Sequence, residues 1–366
     1  MTYPEFDRAE VRQKPLSERK NKVKILDDHV GINAKSEPLD PIAAEIVEEL
    51  VDRLGSARAA NKARMLTFGA HTIKNGLAPV IIRLIETGWI THIATNGAGI
   101  IHDWEFAYLG ESSEDVRENM SRGEFGNWEE TGYYLNLALL VGAHSGLGYG
   151  ESIGAMVENE SLEIPERVHL ERAISPNNPD TPAAYDLLQA LNRFDIPSGT
   201  LEIPHPFKQF GLQAAAYRLG IPFTGHPMFG HDIHYTHPIN SGSAVGRTAE
   251  RDFLRFVHSV SELHDGAYIS LGSAVMSPMV FEKSLSMARN VALQNGSTID
   301  NQLMVVVDLA KAHWDWTQGE PPEDNPDYYL RYNKTFSRMG GTLRYLQADN
   351  RDFLLTLLHT LEPSSE

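Results

Sequence analysis

The sequence predicts an α/β fold built on a doubly wound, mostly parallel sheet with helices on both faces. Three observations predict it. Apolar runs of strand length alternate with amphipathic runs of helix length. Residues 63–103 read strand, glycine-bearing turn, helix, strand, glycine turn. The strand-like runs end on small or polar residues, as in "TNGAG", "LGSAV" and "VVVDL". Crossovers of this kind make neighbouring strands parallel, and ligands of such sheets gather beyond the carboxyl ends of the strands.

Residues 1–35 are mixed in charge and short of apolar periodicity, so they read as an N-terminal arm before one large domain, 36–366. "DPIAAEIVEELVDRL" opens with Asp-Pro and repeats apolar residues at helical spacing. A helix follows at about 76–88 and a strand at about 91–96. "TPAAYDLLQALNRF" is an amphipathic helix with Thr-Pro at its start. "ERDFLRFVHSVSEL" is another helix, and "GAYISLGSAV" is a β-rich run ending in small residues. "SPMVFEKSLSMARNV" starts a helix with a serine cap and proline behind it. "NQLMVVVDLA" is an apolar strand ending on Asp308, and "NRDFLLTLLHTL" is a helix.

The chain has 366 residues, 42% of them hydrophobic, and no cysteine. That excludes disulfides, thiolate metal sites and cysteine nucleophiles, and fits a reducing compartment. The polar first residues carry no signal peptide, and no run approaches the roughly 20 apolar residues of a membrane helix. A cytoplasmic protein that does not bind membranes is expected. The formal net charge is −17, and the basic cluster "ERKNKVK" lies in the arm, which disfavours nucleic acid. An acidic surface suits small cationic substrates, and equally suits solubility alone.

Four segments could carry chemistry. In "ATNGAGIIHDWE", glycines after a strand could admit a phosphate at a helix start, with Asn96, His102 and Asp103 at the mouth, or could simply serve a tight turn. "GAHSGLGYGESIG" lacks the Gly-Lys-Ser/Thr of a P-loop and reads better as a flexible loop. "HPMFGHDIHYTHP" gathers His226, His231, Asp232, His234 and His237, and helical spacing would stack His231 on His234. Without H-E-x-x-H or cysteine, such a cluster more often binds a polar ligand than a metal, and no metal is expected. "NPDYYLRYNKTF" ends on Lys334 among tyrosines: a solvated cation, or a nucleophile if an aromatic wall depresses its pKa.

Read in order, these pieces resemble the deoxyhypusine synthase family over most of residues 60–340. "TFGAHTIKNGLAPVIIRLIETGWITHIATNGAGIIHD" follows that family's progression of motifs. "SRGEFGNWEETGYY", "LGIPFTGHPMFGHDIHY" and "GAYISLGSAVMSPMVFEKSLSMARN" resemble later ones. In "NPDYYLRYNK", Pro326, Asp327 and Lys334 fall on the family's proline, aspartate and catalytic lysine. The resemblance implies a Rossmann-like, sirtuin-like NAD-binding fold and a homotetramer, a dimer of dimers. It implies an NAD-dependent aminobutyl transferase acting on a polyamine or related amine. Lys334 would form the imine, with Asp232 and His231 completing the catalytic set. Thr95, Asn96, Gly97, Gly99, Asp103 and Asp327 would sit near NAD, and Tyr328, Tyr332 and His234 near the substrate. The chain departs from the family at Tyr328, where a glutamate holds a polyamine ammonium, and at Tyr332, where the family has tryptophan. Ser277, Pro278 and Met279 stand where the family has paired histidines.

Three alternatives stay open. One is an NAD-dependent hydrolase or deacylase using the His226–His237 loop. Another is a non-catalytic nucleotide-binding regulator, and the last a metal-dependent hydrolase.

Overall fold

The computed structural model describes residues 3–363. Its centre is a six-stranded sheet, parallel throughout. The strands are β1 (Arg64–Phe68), β2 (His92–Asn96), β3 (Phe223–His226), β4 (Ala267–Leu271), β5 (Leu303–Asp308) and β6 (Thr342–Gln347). Their spatial order is β6–β5–β4–β1–β2–β3. Two three-strand halves grow outward from the β1–β4 pair. This is the Rossmann-like order, and its topological switch point lies between the carboxyl ends of β1 and β4.

The inner strands β1 and β4 are buried at every position, as "RMLTF" and "AYISL" require once both faces are covered. Alternate side chains separate the two faces. Leu66, Phe68, Ile93, Ile269 and Val305 join one core with the helices Pro41–Ala59, Ala78–Glu86, Gly97–Leu109 and Asn350–Leu361. Met65, Ala94, Tyr268, Met304 and Val306 join a second core with Phe256, Phe281 and Phe336. These come from the helices Gly242–Ser261, Met276–Gln294 and Arg331–Ser337.

The helix expected at about 76–88 is Ala78–Glu86, and a short helix, Ala70–Lys74, precedes it. Gly76 separates them at φ +74°, where a Cβ would lie 2.3 Å from the Asp28 carbonyl oxygen of the arm. The arm is built into the domain: Asn21–Lys24 pairs antiparallel with Glu111–Glu114, and Lys14 bridges to Trp128. Between β2 and β3 the chain inserts a helical cover. It includes Glu129–His144, Tyr149–Asn159, Thr181–Arg193 and Leu212–Leu219. Among the described residues no helix is long and apolar enough to cross a membrane.

Candidate functional site

Lys334 does not meet the condition for an imine-forming amine. Its Nζ lies 2.8 Å from Glu320 Oε1 and 3.3 Å from the centre of the Tyr328 ring. Desolvation alone would lower its pKa, but the contacts with Glu320 and Tyr328 outweigh it, and the pKa is raised. The expected aromatic wall also differs. Tyr332 packs on Tyr345, with centroids 6.4 Å apart, and Tyr328 holds the ammonium as a cation–π partner. Asp327 is buried, and its Oδ2 accepts the backbone N–H groups of His313 and Trp314, organising the loop after β5.

The residues expected near NAD mostly build the start of the Gly97–Leu109 helix. The Thr95 hydroxyl donates to the Phe68 carbonyl at 2.8 Å, and Asn96 caps the helix by accepting from Gly99 N at 2.9 Å. A Cβ on Gly99 would lie 2.2 Å from Thr95 Oγ1, and one on Gly97 2.3 Å from the Asp232 carboxylate. Asp103 points elsewhere. Its buried carboxylate accepts from Leu212 N and Gln213 N at 2.9 Å each, capping another helix, so it cannot meet a ribose.

These turns do not fit a dinucleotide pyrophosphate as they stand. The helix start at Gly97 faces a carboxylate, which repels an anion. At the switch point, a Cβ on Gly69 would lie 2.3 Å from the Gly272 carbonyl oxygen. Those glycines bring two chain segments together and leave no cradle between them.

The histidine loop divides. His234 is fully buried, its Nε2 3.2 Å from the Tyr149 hydroxyl, and desolvation pushes its pKa down to about 3. It is a core residue, which corrects its expected place beside a substrate. His226 ends β3, bonded to Thr224 at 3.0 Å. His231 is exposed, and it lines a pocket with Asp232. Burial raises the Asp232 carboxyl to about 6. Among the described residues, no three histidine, aspartate or glutamate side chains converge to hold a metal ion.

That pocket is a cleft of about 670 Å³, open to solvent, along the flank of the Gly97–Leu109 helix. Ala98, Ile101, His102 and Glu105 line it at helical spacing, opposite Lys74, His231 and Asp232. Behind it lies a buried polar chain. Arg19 donates to both Glu105 oxygens, at 2.7 and 2.6 Å, and both side chains are 1% exposed. Desolvation alone would raise the Glu105 pKa, but Arg19 and the hydrogen bonds hold it below the usual value. Ionised Glu105 can only accept, so the Ser112 hydroxyl donates to it at 2.5 Å. Having given its one proton there, Ser112 accepts from His102 Nδ1 at 2.7 Å. The His102 tautomer follows from this logic: N–H at Nδ1, lone pair on Nε2. Among the described residues Nε2 has no protein partner, and His102 lines the pocket. Desolvation first, then Lys74, Arg19 and His71 against the opposing Glu105, lower its pKa to about 4. A neutral imidazole with an open lone pair is a general base.

Sequence reasoning placed His102 at this mouth without giving it a role. Its spacing from Glu105, three residues on one helix, was the available signal; Arg19 and Ser112 had none.

No family model matches the chain, and no curated protein matches it in sequence. Among solved structures, a LOR/SDH protein from Methanococcus maripaludis S2 matches at 14% identity and TM-score 0.44, over 91% of this chain and 72% of that one. AgrE, solved with ornithine and NAD+, matches at 14% identity and TM-score 0.42, over 90% of this chain, which spans about a third of AgrE's length. A provisionally assigned deoxyhypusine synthase from Entamoeba histolytica matches at 10% identity and TM-score 0.38, over 86% of this chain and 88% of that one.

Proposed function

We propose that the protein is an enzyme that moves protons on a small molecule bound beside the carboxyl end of β2. His102 acts as general base and Asp232 as general acid. One observation carries this reading: the Arg19–Glu105–Ser112–His102 chain holds the imidazole by Nδ1 in the wall of the pocket that Asp232 also lines. Two groups whose surroundings push their pKa values apart from the ordinary ones, across one cavity, are a recurring acid–base pair.

Histidine ¹⁵N NMR on the whole chain tests it without a known substrate. His102 is expected to carry its proton on Nδ1 at pH 7 and to titrate near pH 4. Ser112→Ala is expected to release the tautomer preference. A proton on Nε2, or titration near the ordinary histidine value of about 6.5, overturns the assignment.

The finer reading implied by the family resemblance, NAD-dependent aminobutyl transfer through Lys334, needs a neutral amine, and the Glu320 contact works against it. Borohydride trapping with spermidine and NAD separates the two. The acid–base reading expects no adduct on Lys334. A reduced adduct that disappears in Lys334→Ala would restore the lysine mechanism.

A further inference from the structure

We infer that the His102 pocket takes a substrate with an oxyanion head, a carboxylate or phosphate monoester, held on Lys74, and an apolar body lying against Phe125, Val116 and Ile233. This deepens the acid–base reading and rests on it.

The first observation is that Lys74 is an unmatched cation. It ends the Ala70–Lys74 helix, half-buried in the pocket wall, and among the described residues no carboxylate reaches its ammonium. Four other cations at this end of the molecule are paired: Arg19 with Glu105, Lys14 with Glu124, Lys22 with Asp115 and Lys24 with Glu111. An anion entering the pocket would pair with this ammonium.

The second observation concerns the acids that could otherwise hold a cation. The Glu105 charge is matched by the bidentate Arg19 guanidinium. Glu114, also in the wall, accepts from Trp128 Nε1 at 3.0 Å, Gly126 N at 3.1 Å and Asn119 Nδ2 at 2.5 Å. The hydrogen bonds of both carboxylates are thus taken up within the protein. Asp232 packs against the helix start at Gly97, and Lys74 stands near enough to His102 to act on it. The third is the wall itself: Phe125, Val116 and Ile233 offer hydrocarbon to a body without charge.

The class therefore differs from the amine expected by resemblance. An ammonium at the same place would meet the like charge of Lys74.

Three probes with one body test this: hexanoate, hexyl phosphate and hexylamine, titrated calorimetrically into the full chain. At least one anion is expected to bind, hexylamine is not, and Lys74→Gln is expected to weaken the anion at least tenfold. Lys74→Arg, which keeps the charge, is expected to restore binding, and melting curves confirm that both variants fold. Hexylamine binding as well as the anions, anion binding indifferent to Lys74→Gln, or no anion binding below about 10 mM each overturns the inference. Preference between the two anions identifies the head group. If His102 shows its expected tautomer while no anion binds, the substrate class falls and the acid–base reading stands. The wrong tautomer removes the acid–base reading itself.

Discussion

Arg19→Ala is expected to lower the unfolding free energy by about 3–5 kcal/mol, the usual consequence of stripping one partner from a buried ion pair. Both side chains are 1% exposed, and without the guanidinium Glu105 is left charged and unmatched. The site should change with the fold. Glu105 would then gain a proton more readily, its claim on the Ser112 hydroxyl would weaken, and His102 would lose its tautomer preference. Arg19→Met with Glu105→Leu is expected to recover much of the stability, because the charge goes with its partner. It should not recover the His102 tautomer. Equilibrium denaturation of the three proteins checks the first statement, and histidine NMR the second. A loss below about 1 kcal/mol in Arg19→Ala would show the pair to be no more than a surface contact.

Once a substrate is in hand, the pH profile of kcat/KM is expected to be bell-shaped, rising through about 4 and falling through about 6. The signs follow from the roles. His102 works as a base only when deprotonated, and its lowered pKa leaves it neutral above about 4. Asp232 works as an acid only when protonated, and its raised pKa preserves that form up to about 6. At pH 7 roughly a tenth of Asp232 keeps its proton. His102→Gln is expected to reduce kcat by roughly 10²–10⁴-fold. Asp232→Asn should remove the alkaline limb of the profile. A profile flat between pH 5 and 8 would assign the proton transfers to other groups.

Much of the architecture was legible because it is written locally. The predicted strand at about 91–96 is His92–Asn96, and the run ending on Asp308 is Leu303–Asp308. Asp40 and Pro41 start their helix as expected, and Thr181-Pro182 starts another. The helix expected at about 76–88 is Ala78–Glu86, and it begins just after Gly76, where the approach of Asp28 leaves no room for a Cβ. At the site, "TNGAG" did fall at the carboxyl edge, yet its glycines admit Thr95 and Asp232.

The sequence by itself determined a parallel α/β sheet, through periodicities and caps that depend on neighbours a few residues apart. Only the tertiary structure decided which side chains have chemistry. Asp103 and Lys334 differ from their expected roles because of Leu212, 109 residues away, and Glu320 in a preceding loop. His102 acquired a role because Arg19 returns to Glu105 across 86 residues. Acidity depends on desolvation and on nearby charge, and both are set by segments that meet only when the chain has folded.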